Sequence, residues 1–135
     1  MKRIDHIAIA VESLDAALPF YQEALGLECF TVETVAEQGV RVAKLHAGNT
    51  HIELLEPLAP DTPVGKFIAK RGQGLHHICF GVDDIDSELT QLKSKKTKMI
   101  DESPKIGAGG ARIAFVHPAA TSGVLMELSE PQEDQ

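Results

Sequence analysis

The chain has 135 residues, 20 acidic against 13 basic side chains, a formal net charge of −7 and 43% hydrophobic residues. That length suits one compact domain, or two small halves sharing a core, and the acidity excludes wholesale binding to nucleic acid or to an anionic membrane, which need a basic surface. No segment approaches the roughly 20 consecutive apolar residues of a membrane span, and the opening residues lack the apolar core of a signal peptide, so the expected compartment is the cytoplasm.

Residues 4–11 alternate, with Ile7, Ile9 and Val11 on one face and His6, Ala8 and Ala10 on the other, and predict a first strand. Ser13 is placed to cap a helix whose apolar stripe is Leu14, Leu18, Tyr21 and Leu25 and which Gly26 closes. Strands are expected over 29–35, 40–45 and 50–55, the last two joined by a turn at Ala47-Gly48-Asn49. Pro57, Pro60 and Pro63 mark a connection that holds a short helix over 64–70, with Pro63 near its start. Residues 75–82 predict a strand of the same parity as the first, with Ile78, Phe80 and Val82 opposite His77, Cys79 and Gly81. Asp83 or Asp84 then caps a helix over 85–95 striped by Ile85, Leu89 and Leu92. A weaker strand is expected at 98–100. Strands at 112–116 and 124–128 follow the stretch Gly107-Ala108-Gly109-Gly110, and an acidic, frayed tail begins at Glu130. Cys29 and Cys79 sit inside strand patterns and read as small buried hydrophobes, not as a disulfide pair.

The chain says the same thing twice. Ile4-Asp5-His6-Ile7-Ala8-Ile9-Ala10-Val11 returns as Leu75-His76-His77-Ile78-Cys79-Phe80-Gly81-Val82, and His51-Ile52-Glu53-Leu54-Leu55-Glu56-Pro57 returns loosely as Leu125-Met126-Glu127-Leu128-Ser129-Glu130-Pro131. Each half is a βαβββ unit: module one covers about 1–57, a linker about 58–74, module two about 75–129, and a tail 130–135, all within one domain. In both first strands the large aliphatic face should pack under the helices, and the small face carrying the histidine should line a concave space.

Each module offers one His early and one Glu late. His6, Glu53, His77 and Glu127 are therefore the candidate ligands of one divalent metal ion per chain, of the Co, Zn, Mn, Ni or Mg type, since imidazole and carboxylate suit such ions. Two imidazoles and two carboxylates leave open coordination positions for substrate. His76 has the wrong parity. His51 shares a face with Glu53, but its counterpart Leu125 cannot ligate, so it is left out of the ligand set. His46 and His117 have no repeated partner and read as structural. Lys93, Lys95, Lys96 and Lys98, with Lys105 and Arg112, form the densest basic region, read either as a solvated helix end or as a landing site for an anionic substrate.

Paired βαβββ units with a His/Glu quartet resemble the vicinal oxygen chelate superfamily, which includes glyoxalase I and extradiol dioxygenases. Within it the sequence resembles the methylmalonyl-CoA epimerases over nearly its whole length. The residues that carry this likeness include Glu37-Gln38-Gly39-Val40, Val82-Asp83-Asp84-Ile85-Asp86, Pro104-Lys105-Ile106-Gly107, Gly109-Gly110-Ala111-Arg112-Ile113 and Phe115-Val116-His117-Pro118, besides the segments around the quartet. The resemblance implies an α+β fold in which the modules form a curved mixed sheet around a metal-binding cleft. It further implies a homodimer acting on a CoA thioester. The implied reaction interconverts (R)- and (S)-methylmalonyl-CoA by removing and returning the proton alpha to the thioester, with negative charge stabilised by the metal. Glu127 is a ligand and a proton carrier in that reading. The second face needs another carrier, for which Glu37, Glu53 or a water near Gln38 are candidates, because Val42 stands where some epimerases carry a glutamate. Relatives often have Gln where this chain has Glu53. Gln38 and Arg112 are candidate contacts to the substrate, and Gly109 and Gly110 either only permit a tight turn or also let backbone N–H groups approach its acyl or pantetheine portion. The glycine stretch lacks a P-loop or dinucleotide fingerprint, so no nucleotide cofactor is expected. A glyoxalase-type isomerase and a metal-free small-molecule-binding protein are the alternatives.

Overall fold

A computed structural model of the chain describes residues 2–132, so the last three tail residues lie outside the described residues. The elements run β1 (Arg3–Ala10), α1 (Leu14–Pro19), β2 (Cys29–Val35), β3 (Val40–Ala47), β4 (Thr50–Pro57), α2 (Pro63–Arg71), β5 (Gly74–Gly81), α3 (Ile85–Ser94), β6 (Lys105–Ile106), β7 (Arg112–Val116) and β8 (Met126–Glu130). This is an α+β chain in which βαβββ occurs twice, as the repeat predicts. Contacts divide it into two compact units, His6–His76 and residues 2–5 with 77–132. Among the described residues no helix is long and apolar enough to cross a membrane.

The first unit runs β2-β3-β4-β1. β2 and β3, and β3 and β4, pair antiparallel, while β4 and β1 pair parallel with Ala8 opposite Glu53. The second runs β5-β8-β7-β6, again with one parallel pair, in which Cys79 lies opposite Glu127. Ala8 stands two residues after His6 and Cys79 two after His77, so the two parallel registers are the same. Side chains alternate along a strand, and this register therefore sets each Glu on the face of its own His.

The aliphatic face packs under the helices, as expected. Val11, Leu14, Ala43, Leu45 and Leu54 form one core, joined by Ile9 from β1 and by Ala17, Leu18 and Tyr21. Val82, Ile85, Leu89, Ala114 and Leu128 form the second, joined by Phe80, Leu92 and Met99. A further repeated device fixes each helix start. The backbone N–H of Leu14 donates to Glu56 Oε2 at 2.8 Å, and that of Ile85 donates to Glu130 Oε1 at 3.0 Å. Glu56 follows Glu53 by three residues, as Glu130 follows Glu127, and an odd spacing on a strand puts the second carboxylate on the opposite, helix-bearing face. There it satisfies an N–H that the helix's first turn leaves without an intrahelical partner. Ser13 and Asp84 complete the caps by accepting from Ala16 and Ser87.

Three local expectations change. The helix expected to run to Leu25 is α-helical only to Pro19. Proline has no N–H to continue the ladder, and the chain widens into a π turn over Phe20–Ala24, with Leu25 N–H bonded to Phe20 O at 2.9 Å. Leu25 is accordingly 54% exposed rather than part of the stripe. The strand expected at 98–100 is a single bridge between Met99 and Val116. Asp101 Oδ2 takes the next N–H, that of Phe115, and ends the ladder there; β6 forms later, at Lys105–Ile106. Glu130, expected to open the tail, is the last residue of β8 because its carboxylate is engaged at Ile85.

Thr62 caps α2, accepting from Gly65 N–H at 3.1 Å. A Cβ at Gly65 would lie 2.5 Å from Ala59 O and 2.6 Å from Pro60 O, both backbone atoms with no rotamer to yield. Alanine gains up to about 1 kcal/mol in helix propensity over glycine, but overpacking a fixed backbone costs about 1–3 kcal/mol or more. Gly65→Ala is thus expected to lower the urea midpoint with little change in slope, and an unchanged midpoint would show that the 59–60 segment moves freely.

Candidate metal centre

His6 and Glu53 are each 5% exposed, and His6 Nδ1 lies 3.2 Å from Glu53 Oε2. In the second unit His77 and Glu127 are 5% and 6% exposed, with Nε2 2.9 Å from Oε1. Each repeat thus buries one imidazole against one carboxylate, reached from a strand centre by the same register. Burying such groups is costly unless they are paired or bind a metal, and these four are paired within their own repeats. Small neighbours on the strand make the room: Ala8, Ala10 and Cys79 are fully buried on the same faces.

The first unit adds a group that the repeat argument left out. His51 Nε2 is 2.9 Å from Glu53 Oε2, and its ring stacks on that of His6 with centroids 5.1 Å apart. His6, His51 and Glu53 belong to a set whose ligand atoms all lie within 4.8 Å of one another, so the unit holds a candidate metal-binding group by itself. The signal for it in the sequence is local: His51 shares Glu53's face, although Leu125 breaks the repeat at that position. On the second unit's His face, Phe115 lies opposite Glu127 and sets its ring edgewise on His77 at 5.4 Å.

The remaining histidines take structural places. His76 meets Phe67 of α2 at 4.8 Å, on the helix side. His46 stacks on Phe30 at 4.0 Å, and His117 Nδ1 accepts from Ala119 N–H. Val42 is 2% exposed and lies opposite Leu55, on the face of Glu53, where an aliphatic side chain moves no proton. Neither Glu37 nor Gln38 is brought to the pairs. Both lie on the turn between β2 and β3, just before Val40, which pairs with Pro57. Gly109 and Gly110 form a turn with φ of +67° and +79°.

Arg112 does make a bidentate pair, with Asp86 of its own chain, through Nη1 to Oδ2 at 3.0 Å and Nη2 to Oδ1 at 3.1 Å. These hydrogen bonds hold the Asp86 carboxyl below the usual carboxylate range and raise the guanidinium of Arg112. The pair is on the surface. Lys93, Lys95, Lys96 and Lys98 are exposed around the end of α3, where the helix dipole favours cations. Lys105 pairs with Asp101 at 3.2 Å and lies over the Phe115 ring at 5.2 Å.

The chain is similar in sequence and fold to several known proteins. The sequence model of the Glyoxalase/Bleomycin resistance protein/Dioxygenase superfamily matches residues 5–115. An uncharacterized Bacillus subtilis protein, YqjC, is 48% identical over 135 residues, covering all of this chain and 96% of that one. The human mitochondrial methylmalonyl-CoA epimerase is 42% identical over 129 residues, 95% of this chain and 73% of that one. A solved structure described as methylmalonyl-CoA epimerase in complex with methylmalonyl-CoA and NH4+ superposes with a TM-score of 0.92 at 42% identity, covering 97% of this chain and 95% of the other.

Proposed function

We propose that this chain, which belongs to the Glyoxalase/Bleomycin resistance protein/Dioxygenase superfamily, is a metal-dependent epimerase that interconverts (R)- and (S)-methylmalonyl-CoA. The observation that supports it most is the repeated buried pair, His6 with Glu53 and His77 with Glu127. Relatives and structural neighbours bearing the name of that enzyme at 42% identity support the substrate. In this reading the four side chains hold one divalent ion per chain, and two nitrogen and two oxygen donors fit such an ion. The protein acts on a CoA thioester as a cytoplasmic homodimer.

Bound there, a divalent cation supplies electrophilic stabilisation of the negative charge that develops on the thioester oxygen, commonly several kcal/mol of barrier. The chain's own residues handle the proton. Glu127 removes it from the α-carbon on one face and returns it there. Stereochemical inversion requires a carrier on the opposite face, and we assign this to Glu53. Glu37, on the turn between β2 and β3, is set aside for that role. Both carboxylates are buried, and each exchanges its proton with solvent between turnovers, so that deuterium from D₂O reaches the α-carbon. Gly109 and Gly110 are assigned contacts to the acyl and thioester portions. Arg112 meets a substrate carboxylate only by releasing Asp86.

Incubating single epimers of methylmalonyl-CoA with metal-loaded protein in D₂O tests the reading. The expected result is deuterium at the α-carbon together with loss of optical purity. Methylmalonyl-CoA that keeps both its α-proton and its configuration would exclude the epimerase and leave the glyoxalase-type or binding-protein alternatives.

A further inference from the structure

The strands of the first unit carry two cations, and these lie on opposite faces. Arg41 stands opposite Glu56, on the helix-bearing side. Lys44 stands opposite Glu53, so its side chain shares the face of the buried His6–Glu53 pair. That side chain is 14% exposed, and its Nζ lies 3.1 Å from Oε1 of Glu33, which reaches it from β2. Among the described residues it forms no ion pair with Glu53 itself. The second repeat puts a ring where the first has this amine. Phe115 stands opposite Glu127 as Lys44 does opposite Glu53, and Lys105 holds in β6 the place that Glu33 holds in β2. The Lys105 ammonium lies over Phe115, paired with Asp101, on a side chain 40% exposed. An amine directly beside the central glutamate is therefore peculiar to the first repeat, and it is the less open to water of the two.

A lysine is rarely so enclosed without anions to meet. An ammonium offers three N–H donors, and Glu33 Oε1 engages one of them. We propose that Lys44 binds the free carboxylate of the substrate's acyl group. The inference rests on the epimerase reading above and deepens it. A malonyl thioester carries a carboxylate on the very carbon that loses its proton, and the fork of Arg112 is filled by Asp86. Proton removal places a second negative charge beside that carboxylate, and an ammonium already in position offsets the repulsion. Lys44 thereby selects acyl groups with a carboxylate on the α-carbon over plain acyl groups.

Malonyl-CoA and acetyl-CoA differ only in that carboxylate, so titration calorimetry of the full chain with each isolates its recognition. Lys44→Met alone would set an unpaired Glu33 against the incoming anion, and the amine is therefore removed in a Glu33→Gln background. E33Q keeps the ammonium and is expected to bind malonyl-CoA at least as tightly as wild type. E33Q/K44M keeps an unbranched stem in the same space and is expected to bind malonyl-CoA about 10–100-fold more weakly, the usual worth of a hydrogen bond to a charged group. Acetyl-CoA affinity should stay the same in all three proteins. Malonyl-CoA affinity unchanged in E33Q/K44M, equal weakening of both thioesters, or wild-type protein with no preference for malonyl-CoA would each overturn the role. So would a loss in E33Q as large as in the double variant, since the ion pair and not the amine would then matter. Wild-type protein that binds neither thioester would instead remove the CoA-thioester reading, and this inference with it.

Discussion

Glu127→Gln is expected to slow interconversion of the methylmalonyl-CoA epimers by about 10²–10⁴-fold, the usual worth of a positioned general acid–base group, while the protein stays folded. Glutamine matches glutamate in shape and keeps an oxygen beside His77 Nε2, which lies 2.9 Å from Glu127 Oε1 in the native pair. It also avoids leaving a cavity in a site that is 6% exposed. What it lacks is a carboxylate oxygen that can take up the proton. The two-carrier mechanism makes a sharper demand than loss of rate. With Glu53 intact, one epimer should still exchange its α-proton with D₂O and keep its configuration, because removal and return occur on one face. Glu53→Gln should show the same behaviour with the other epimer. A Glu127→Gln protein that still epimerises at the wild-type rate would remove Glu127 from the chemistry. Loss of exchange from both epimers in both variants would instead mean that neither carboxylate works alone.

Much of this site was legible because its determinants are periodic. His6 and His77 recur at the same place in two strands of matching parity, and Glu53 and Glu127 recur in two more. Alternation along a strand then fixes faces without any knowledge of the fold. Helix starts were legible for the same local reason: Ser13 and Asp84 precede apolar stripes, and both accept the expected backbone N–H groups. What escaped depends on partners distant in sequence. Glu56 and Glu130 recur just as Glu53 and Glu127 do, but their role appears only when β4 and β8 lie beside the helix starts at Leu14 and Ile85. Arg112 has the right chemistry for a substrate carboxylate, yet Asp86, 26 residues away, fills its fork. The π turn after Pro19 is the converse case, a local signal outweighed by an apparently continuous apolar stripe. His51 falls outside the repeat because the site is only approximately two-fold, with Leu125 at the equivalent position.

Metal binding gives the second large effect. If one ion draws on both repeats, deleting either imidazole must abolish tight binding, however intact the other pair remains. His6→Ala and His77→Ala are therefore each expected to take cobalt content from about one ion per chain to near none. The fold offers an independent readout, because an ion that binds only the native state stabilises it by mass action. At a free cobalt concentration 100 times the dissociation constant the gain is about 2.7 kcal/mol, which for a chain of this size raises Tm by roughly 10 °C. Wild-type protein should show that rise on adding Co²⁺ and lose it on adding EDTA, while both alanine variants should melt at one temperature throughout. The comparison with His117→Ala controls for general damage, since His117 caps a surface turn and should leave the cobalt-dependent rise intact. A rise that survives in His77→Ala but vanishes in His6→Ala would confine the ion to the first repeat, with His6, His51 and Glu53 as its ligands. Glu127 would then keep its proton-carrying role without contributing to the metal site.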